Sequence, residues 1–435
     1  MAEPQQISSL DPTFATLPIP IPPPATAAAA FRRRLRRQLL ALIGRGFSSQ
    51  NRFPPSAFRL PPSASILLIR PDHLGDLLFL TPALRHLRQS LPEARLTLLI
   101  GPWGRPVLEN NPHLDEILTC DFPYFNRKPA PSPWQPYRYL FEQARRLRAR
   151  TFDAAVILRF DHWWGAWLAA AARIPLRLGY AIPEVKPFLT HSLPYEDRRH
   201  EVEQNWGLVN WLIGELVNRP AGQPVDPLQP LQFFPTADDR AWAQDFHSEF
   251  KTQNSKLILI HPGSGAPVKG WRVEAWARLA ERLVSEHDAR IVLTGGPDEV
   301  ELCRAVAEQA NVAITGLAGQ TSFGQLAALQ RRAVLVIGPD CGPLKLAAAV
   351  GAPTLQLYGP VDPVKFGPWG GEGRHKIVTA GLSCSPCHRL DYPPEELAAH
   401  FCVRGLSLAA VLAAAGEVLG ALGEGSRFAP TAAAG

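Results

Sequence analysis

Short unbroken apolar runs alternate with longer amphipathic stretches along this chain, and they do so in two separate blocks. In the first block SILLIR (65–70), RLTLLIG (95–101), EILTCD (116–121) and AAVIL (154–158) read as strands, and 76–90, 103–110 and 137–150 read as helices. Residues 176–235 are rich in proline and offer one helix near 200–216. The second block has strands KLILIHP (256–262), RIVLTG (290–295), VAITGL (312–317), AVLVIG (333–338) and PTLQLYG (353–359). Helices are expected there over 271–286, 298–310, 322–331 and 342–350. Continuous Val/Ile/Leu runs are what a parallel sheet buried on both faces requires, and strand–helix alternation implies right-handed crossovers. The fold class is therefore α/β. Two doubly wound parallel-sheet domains are expected, 61–235 and 236–425, facing each other across a cleft, with a 426–435 tail. Ligands of such sheets sit outside the carboxyl ends of the strands, which directs attention to the loops that follow them.

Three of these loops can carry chemistry. In IRPDHLGDLLFLTPAL a strand ends at Arg70, Gly75 is expected to make a tight turn and Asp76 to open a helix. Asp76 reads either as a helix cap or as a carboxylate that the helix dipole keeps ionised and able to accept a proton. In LIHPGSGAPVKGW, Gly263, Ser264 and Gly265 let the backbone approach a ligand, and Lys269 precedes a helix start, a combination suited to a diphosphate. It lacks the Gly-Lys-Ser/Thr order of a Walker A loop. In VLVIGPDCGPLKLAAAVG a buried strand runs into Asp340, and Gly342 or Pro343 begins a helix of small residues. An anion there would meet a helix dipole and a lysine together. No GxGxxG follows a strand, so there is no dinucleotide fingerprint, and the absence of any Asp-x-Asp pair disfavours a sugar-nucleotide site built on a carboxylate-held metal.

The formal charge of +6 sits entirely in residues 1–60, where eight arginines face Glu3 and Asp11. The remainder carries 37 basic and 37 acidic groups, so the body offers no groove for nucleic acid. Residues 1–30, rich in Pro, Ala and Ser, are expected to stay disordered. In FRRRLRRQLLALIGRGF, Phe31, Leu35, Leu39 and Leu42 follow 4-4-3 spacing, while Arg32, Arg33, Arg36 and Arg37 lie mostly off that stripe. This suits a basic amphipathic helix on an anionic membrane surface, or a solvated arm packed on the body. No apolar run is long enough to span a bilayer, and the first residues lack a secretory signal, so a cytoplasmic protein, peripheral on the inner face of the membrane, is expected. Six cysteines are too few for a disulfide scaffold. Cys384, Cys387, His388, His400 and Cys402 contain one half of a metal knuckle, but the HxC spacing of the other half is poor, and packed thiols are the favoured reading. No metal or cofactor is assigned.

Taken together, LLIRPDHLGDLLFLTPAL, IHPGSGAPVKGWRVEAWARLAERL, IVLTGGPDEVELC, VLVIGPDCGPLKLAAAVGAPTLQLYGPVDP and the closing CSPC…C resemble glycosyltransferase family 9, the ADP-heptose:lipopolysaccharide heptosyltransferases, in order from about residue 64 to 420. The resemblance implies a GT-B fold of two Rossmann-like domains, the first for the acceptor and the second for the nucleotide-sugar. It also implies inverting, metal-independent transfer from a nucleotide-diphospho-sugar, ADP-heptose in this family, to a glycan or glycolipid acceptor such as the lipopolysaccharide core. Asp76 matches the family's catalytic carboxylate, and Lys269 its diphosphate-binding lysine. Ser264 matches a small hydroxyl residue of the same loop, and Glu299 an acidic residue near the nucleoside. Asp340, Cys341 and Gly342 match the donor-binding turn. The family usually has Ser or Thr where Cys341 stands and His where Lys345 stands. Lysine keeps a donor for phosphate and adds a fixed positive charge. An epimerase or a non-catalytic nucleotide-sugar-binding protein on the same scaffold are the alternatives.

Overall fold

The computed structural model describes residues 9–15, 17–19, 27–48, 60–126, 132–217, 229–249, 256–371 and 373–423. They form two compact units, one spanning Pro23–Gln229 and the other Pro230 onward together with the chain's first residues. The expectations for residues 1–8, 20–26 and 426–435 lie outside the described residues.

The first unit begins with helix α1 (Ala27–Ser48) and continues β1 (Ser65–Arg70), α2 (Leu74–Leu78), α3 (Thr81–Ser90), β2 (Arg95–Ile100), α4 (Arg105–Leu108), β3 (Glu116–Thr119) and α5 (Gln135–Arg148). It closes with β4 (Ala154–Ile157), α6 (Trp163–Ala171), β5 (Leu176–Tyr180), β6 (His191–Leu193) and α7 (Glu201–Val217). All pairings are parallel, in the order β3-β2-β1-β4-β5-β6. The register sets Leu68 of β1 beside Leu98 and Val156. Leu67 and Ile69 pack with Leu140 of α5 and Trp164 of α6. Ile66 and Leu68, on the opposite face, are also fully buried. Burial on both faces is why β1 carries no polar alternation.

The second unit runs α8 (Ala237–Glu249), β7 (Lys256–Ile260), α9 (Val273–His287), β8 (Ala289–Leu293), α10 (Val300–Gln309), β9 (Ile314–Gly316) and α11 (Phe323–Gln330). Then follow β10 (Leu335–Pro339), α12 (Gly342–Ala349), β11 (Thr354–Tyr358), α13 (Pro363–Phe366), β12 (His375–Thr379) and α14 (Leu408–Gly423). Its sheet, again all parallel, is ordered β12-β11-β10-β7-β8-β9. One face of β7 and β10 packs Ile258 and Ile337 on Trp276 and Leu279 of α9 and Val411 of α14. The other packs Leu259 and Val336 on Leu329 of α11 and Leu344 of α12. Counted within its own unit, each sheet has the order 3-2-1-4-5-6, the Rossmann arrangement. The direction of winding switches between β1 and β4 in one unit and between β7 and β10 in the other.

Three expectations need correction. Residues 76–90 are not one helix: α2 ends at Leu78, and Thr81-Pro82 opens α3, because proline suits a first turn and lacks the N–H an interior position needs. Gly75 lies inside α2 and makes no turn; the chain turns through Pro71–His73, with His73 extended as the helix cap. Within the stretch 1–30 expected to be disordered, residues 27–30 open α1, and residues 9–15 are ordered on the second unit. Leu10 bridges Leu406 antiparallel, Asp11 pairs with Arg272 at 2.7 Å, and the Phe14 ring packs tilted against Phe401, 5.6 Å between centroids. An apolar and a charged anchor together offset the ordering entropy that proline-rich flanks alone could not. Among the described residues no helix is long and apolar enough to cross a membrane.

Candidate active site

The residues singled out above lie at the carboxyl ends of the strands flanking each switch. In the first unit β1 delivers Arg70, and the following turn delivers Asp72 and then Asp76 in the first turn of α2. Asp76 is half-buried, and its N–H donates to the His73 carbonyl at 3.1 Å. Beneath it lies a buried ionic network that sequence reasoning missed. Arg70, 2% exposed, holds Asp72 at 2.8 Å, Glu201 of α7 at 3.0 Å and the Asn205 side-chain oxygen at 2.6 Å. Arg159, just past β4, bonds the other Asp72 oxygen. Burial would raise the Asp72 pKa, but Arg159 and Arg70 outweigh it and hold the carboxyl below its usual range. For Arg70 the opposing carboxylates of Asp72, Glu201 and Asp76 overcome burial and keep the guanidinium charged. The network balances two guanidinium groups against the carboxylates of Asp72 and Glu201, fixes the Pro71–His73 turn on the sheet and holds the Arg70 guanidinium within electrostatic reach of Asp76.

In the second unit β7 ends in the loop that carries Ser264 and Lys269. The Ser264 hydroxyl donates to the Ala266 carbonyl at 2.7 Å and so pins its own turn. Lys269, closing a short 3-10 turn, reaches β10: its Nζ donates to the Asp340 carbonyl at 2.8 Å and to Asp340 Oδ2 at 2.9 Å. Lys345 of α12 donates to Asp340 Oδ1 at 2.9 Å. Two ammonium groups therefore clasp one buried carboxylate. Burial pushes the Asp340 carboxyl up, yet Lys345 and Lys269 together bring it down to about 2. The cluster carries a net single positive charge at neutral pH. That is less than two unpaired lysines would supply, but it is held in fixed positions.

Next to it, Cys341 caps α12 in an extended conformation without a side-chain capping bond, and Gly342 is the first helical residue. Burial pushes the Cys341 thiol up to about 12, so it stays protonated. Gly338 is required by close approach, since a Cβ there would lie 2.6 Å from the His261 carbonyl. Glu299 is brought to the same loop: a Cβ on Gly263 would fall 2.0 Å from its Oε1. Its Oε2 accepts from the Gly296 N–H at 2.7 Å and lies 3.4 Å from His261 Nε2. Ser264, Lys269, Glu299, Asp340, Cys341, Gly342 and Lys345, drawn from three separate stretches of sequence, thus meet around the β7/β10 switch.

The three clustered cysteines lie beside the loop that carries Lys269, against Val268. Cys384, Cys387 and Cys402 are free thiols that line a small hollow with His400 and Tyr392. Among the described residues no group of three His, Cys, Asp or Glu side chains is placed to hold a metal ion.

The profile of glycosyltransferase family 9 (heptosyltransferase) matches residues 140–396, more than half of the chain. Lipopolysaccharide heptosyltransferase 3 of Escherichia coli K12 is 27% identical over 309 residues, covering 68% of this chain and 82% of that protein. Among solved structures, the family 9 glycosyl transferase of Veillonella parvula superposes with a TM-score of 0.64 at 24% identity, over 82% of this chain and 97% of the other. The E. coli ADP-heptose lps heptosyltransferase II superposes with a TM-score of 0.63 at 21% identity, over 82% and 99%. These superpositions show a shared fold. With strand order, switch-point loops and family profile in agreement, the chain belongs to glycosyltransferase family 9, the heptosyltransferase family.

Proposed function

We propose that this protein is an inverting glycosyltransferase that moves a heptose from ADP-heptose to a lipopolysaccharide-core acceptor, with no obligatory metal. The observation that carries the reading is the clasp of Lys269 and Lys345 on Asp340, set beside the start of α12 at the β7/β10 switch. Fixed cations and a helix N-terminus are what a diphosphate leaving group requires, and they can do the work that a carboxylate-held metal does elsewhere. The donor named for heptosyltransferase II and the acceptor class named for the curated relatives supply the substrates of the proposal.

In the proposed reaction an acceptor hydroxyl attacks the anomeric carbon in a single in-line displacement. The C–O bond to the diphosphate breaks as the new glycosidic bond forms, and Asp76 takes the hydroxyl proton. Lys269, Lys345 and the helix start at Gly342 receive the developing charge on ADP. Ser264 holds the loop in place, and Glu299 is assigned to the nucleoside. The enzyme works on the cytoplasmic side, with Arg32, Arg33 and Arg36 turned toward an anionic membrane surface, whereas Arg37, expected to join them, is held on the body by Glu184 at 2.7 Å.

Replacing Asp76 by Asn tests the chemistry. ADP release on a core acceptor should fall by at least about 100-fold, the usual contribution of a positioned base, while ADP binding by calorimetry is unchanged. Unchanged turnover removes Asp76 from the reaction.

A further inference from the structure

Helix α1 has two apolar faces, and the structure uses only one of them. Leu40 is buried, Ile43 and Phe47 pack against the first unit's core, and a Cβ on Gly44 would meet Pro187 at 2.3 Å. Arg37 fastens this side to Glu184 at 2.7 Å. The second stripe lies roughly 130° round the helix, at 3.6 residues per turn. It consists of Phe31, Leu35, Leu39 and Leu42, and they are 66%, 45%, 51% and 62% exposed. Helical geometry puts Arg32 along one border of that stripe and Arg34 and Arg45 along the other.

The docked face of α1 continues into a seam of rings. Phe47 lies 6.1 Å from Phe188, which stacks 5.6 Å from Trp167. Trp167 contacts Tyr137 at 5.7 Å, and Tyr137 contacts Trp134 at 6.4 Å. From Trp167 the seam also runs through Trp163 to Tyr124. Its outer ends are open: Trp134 is 73% and Tyr124 67% exposed, and the charge of Arg36 reaches the Tyr124 phenol. Large exposed apolar side chains gathered on one unit, at the ends of this seam and along the second stripe of α1, mark a docking surface.

We propose that the second stripe of α1, with Trp134 and Tyr124 at the rim, seats the first unit in the headgroup–acyl boundary of an anionic bilayer. The proposal rests on the reading that the arginines face a membrane, and it adds that apolar side chains enter the membrane rather than hover over it. The chemistry selects this occupant. An apolar stripe bordered on both sides by arginines matches lipid tails beneath phosphate headgroups, with the guanidinium groups reaching outward to the phosphates. Indole and phenol rings favour the same depth.

The full chain is floated with phosphatidylethanolamine vesicles, with or without phosphatidylglycerol, and compared with a variant carrying Phe31→Ser, Leu35→Ser, Leu39→Ser and Leu42→Ser. A Trp134→Ser variant is run alongside. The wild type should bind only the anionic vesicles; the quadruple variant should bind at least about tenfold more weakly and Trp134→Ser a few-fold more weakly. Circular dichroism and turnover on a soluble core oligosaccharide should match the wild type, since the replaced residues face solvent. Quadruple-variant binding equal to wild type overturns the seated face while leaving the arginine contact standing. Wild type that binds neither vesicle overturns both. Equal wild-type binding to neutral and anionic vesicles overturns the match of charge. A wild-type dimer that the quadruple variant abolishes, without a change in vesicle binding, assigns the stripe to a second copy and overturns the proposal.

Discussion

Asp340→Asn is the most informative single change, because it removes one charge from a buried cluster and keeps its shape. In the wild type the carboxylate is 2% exposed and lies 2.9 Å from both Lys269 and Lys345, and Lys345 is itself 6% exposed. Breaking a buried ion pair from one side costs about 3–5 kcal/mol. The lower end applies here, since Lys269 retains its bond to the residue-340 carbonyl. A loss of about 3 kcal/mol, at about 2–4 °C per kcal/mol, lowers the melting temperature of the second unit by roughly 6–12 °C. The pH dependence has a definite sign. With its pKa lowered from 3.8 to about 2, the carboxyl contributes about 2 kcal/mol of stability that is present above about pH 4 and lost as pH falls through 2. The Asn variant lacks that part of the acid slope. ADP adds a second readout: if diphosphate meets both lysines it restores the missing counter-charge, so ADP should raise the variant's melting temperature more than the wild type's. Urea unfolding at two pH values and thermal melts with and without ADP measure all three effects. A variant within 1 kcal/mol of wild type, with the same ADP shift, refutes both the structural and the binding role of the cluster.

Other changes probe the remaining parts. Asp72→Asn leaves Arg70 and Arg159 without their shared counter-ion and should destabilise the first unit by about 3–5 kcal/mol, seen as a lower melting temperature and faster amide exchange in α2. A loss below 1 kcal/mol would contradict the network's importance. Gly263→Ala forces a methyl group onto the Glu299 carboxylate, so a cost of about 1–3 kcal/mol and weaker ADP binding by calorimetry are expected. Cys341→Ser gives α12 a hydroxyl cap and should stabilise the second unit by about 0.5–1 kcal/mol in urea titrations, whereas a net loss would show that thiol packing outweighs the cap.

The sheets were legible because their strands are buried on both faces, and such strands are written as unbroken apolar runs. SILLIR occupies the residues expected of it, and each of the other expected runs contains a strand or overlaps one to within a residue. Elements that break this pattern escaped. LRLGY of β5 carries Arg177 and Gly179, and HSL of β6 and HKIVT of β12 are edge strands with polar residues. WWGAWLAAA of α6 is apolar on nearly all sides because it is enclosed, so it has no helical period to detect. The loop residues at the β7/β10 switch could be named from strand ends and from glycine, lysine and aspartate chemistry. Their pairing could not: Asp340 lies 71 residues from Lys269, and nothing local says that the two lysines share it. The same holds for Arg70 and Glu201, 131 residues apart. Arg70 on a strand end looks like an edge charge until α7 covers it.

The docking of residues 9–15 on the second unit, while α1 packs on the first, bears on how the amino terminus can be manipulated. Cutting the chain just before the fold's first strand looks like a clean way to remove a basic leader. It would also strip Leu10 from Leu406, Asp11 from Arg272 and Phe14 from Phe401. The lesion would thus appear in the half of the protein furthest away in sequence, and a defect in nucleotide handling could be mistaken for a defect in localisation. Point replacements within α1 avoid that confusion, and an affinity tag is better placed at the other terminus.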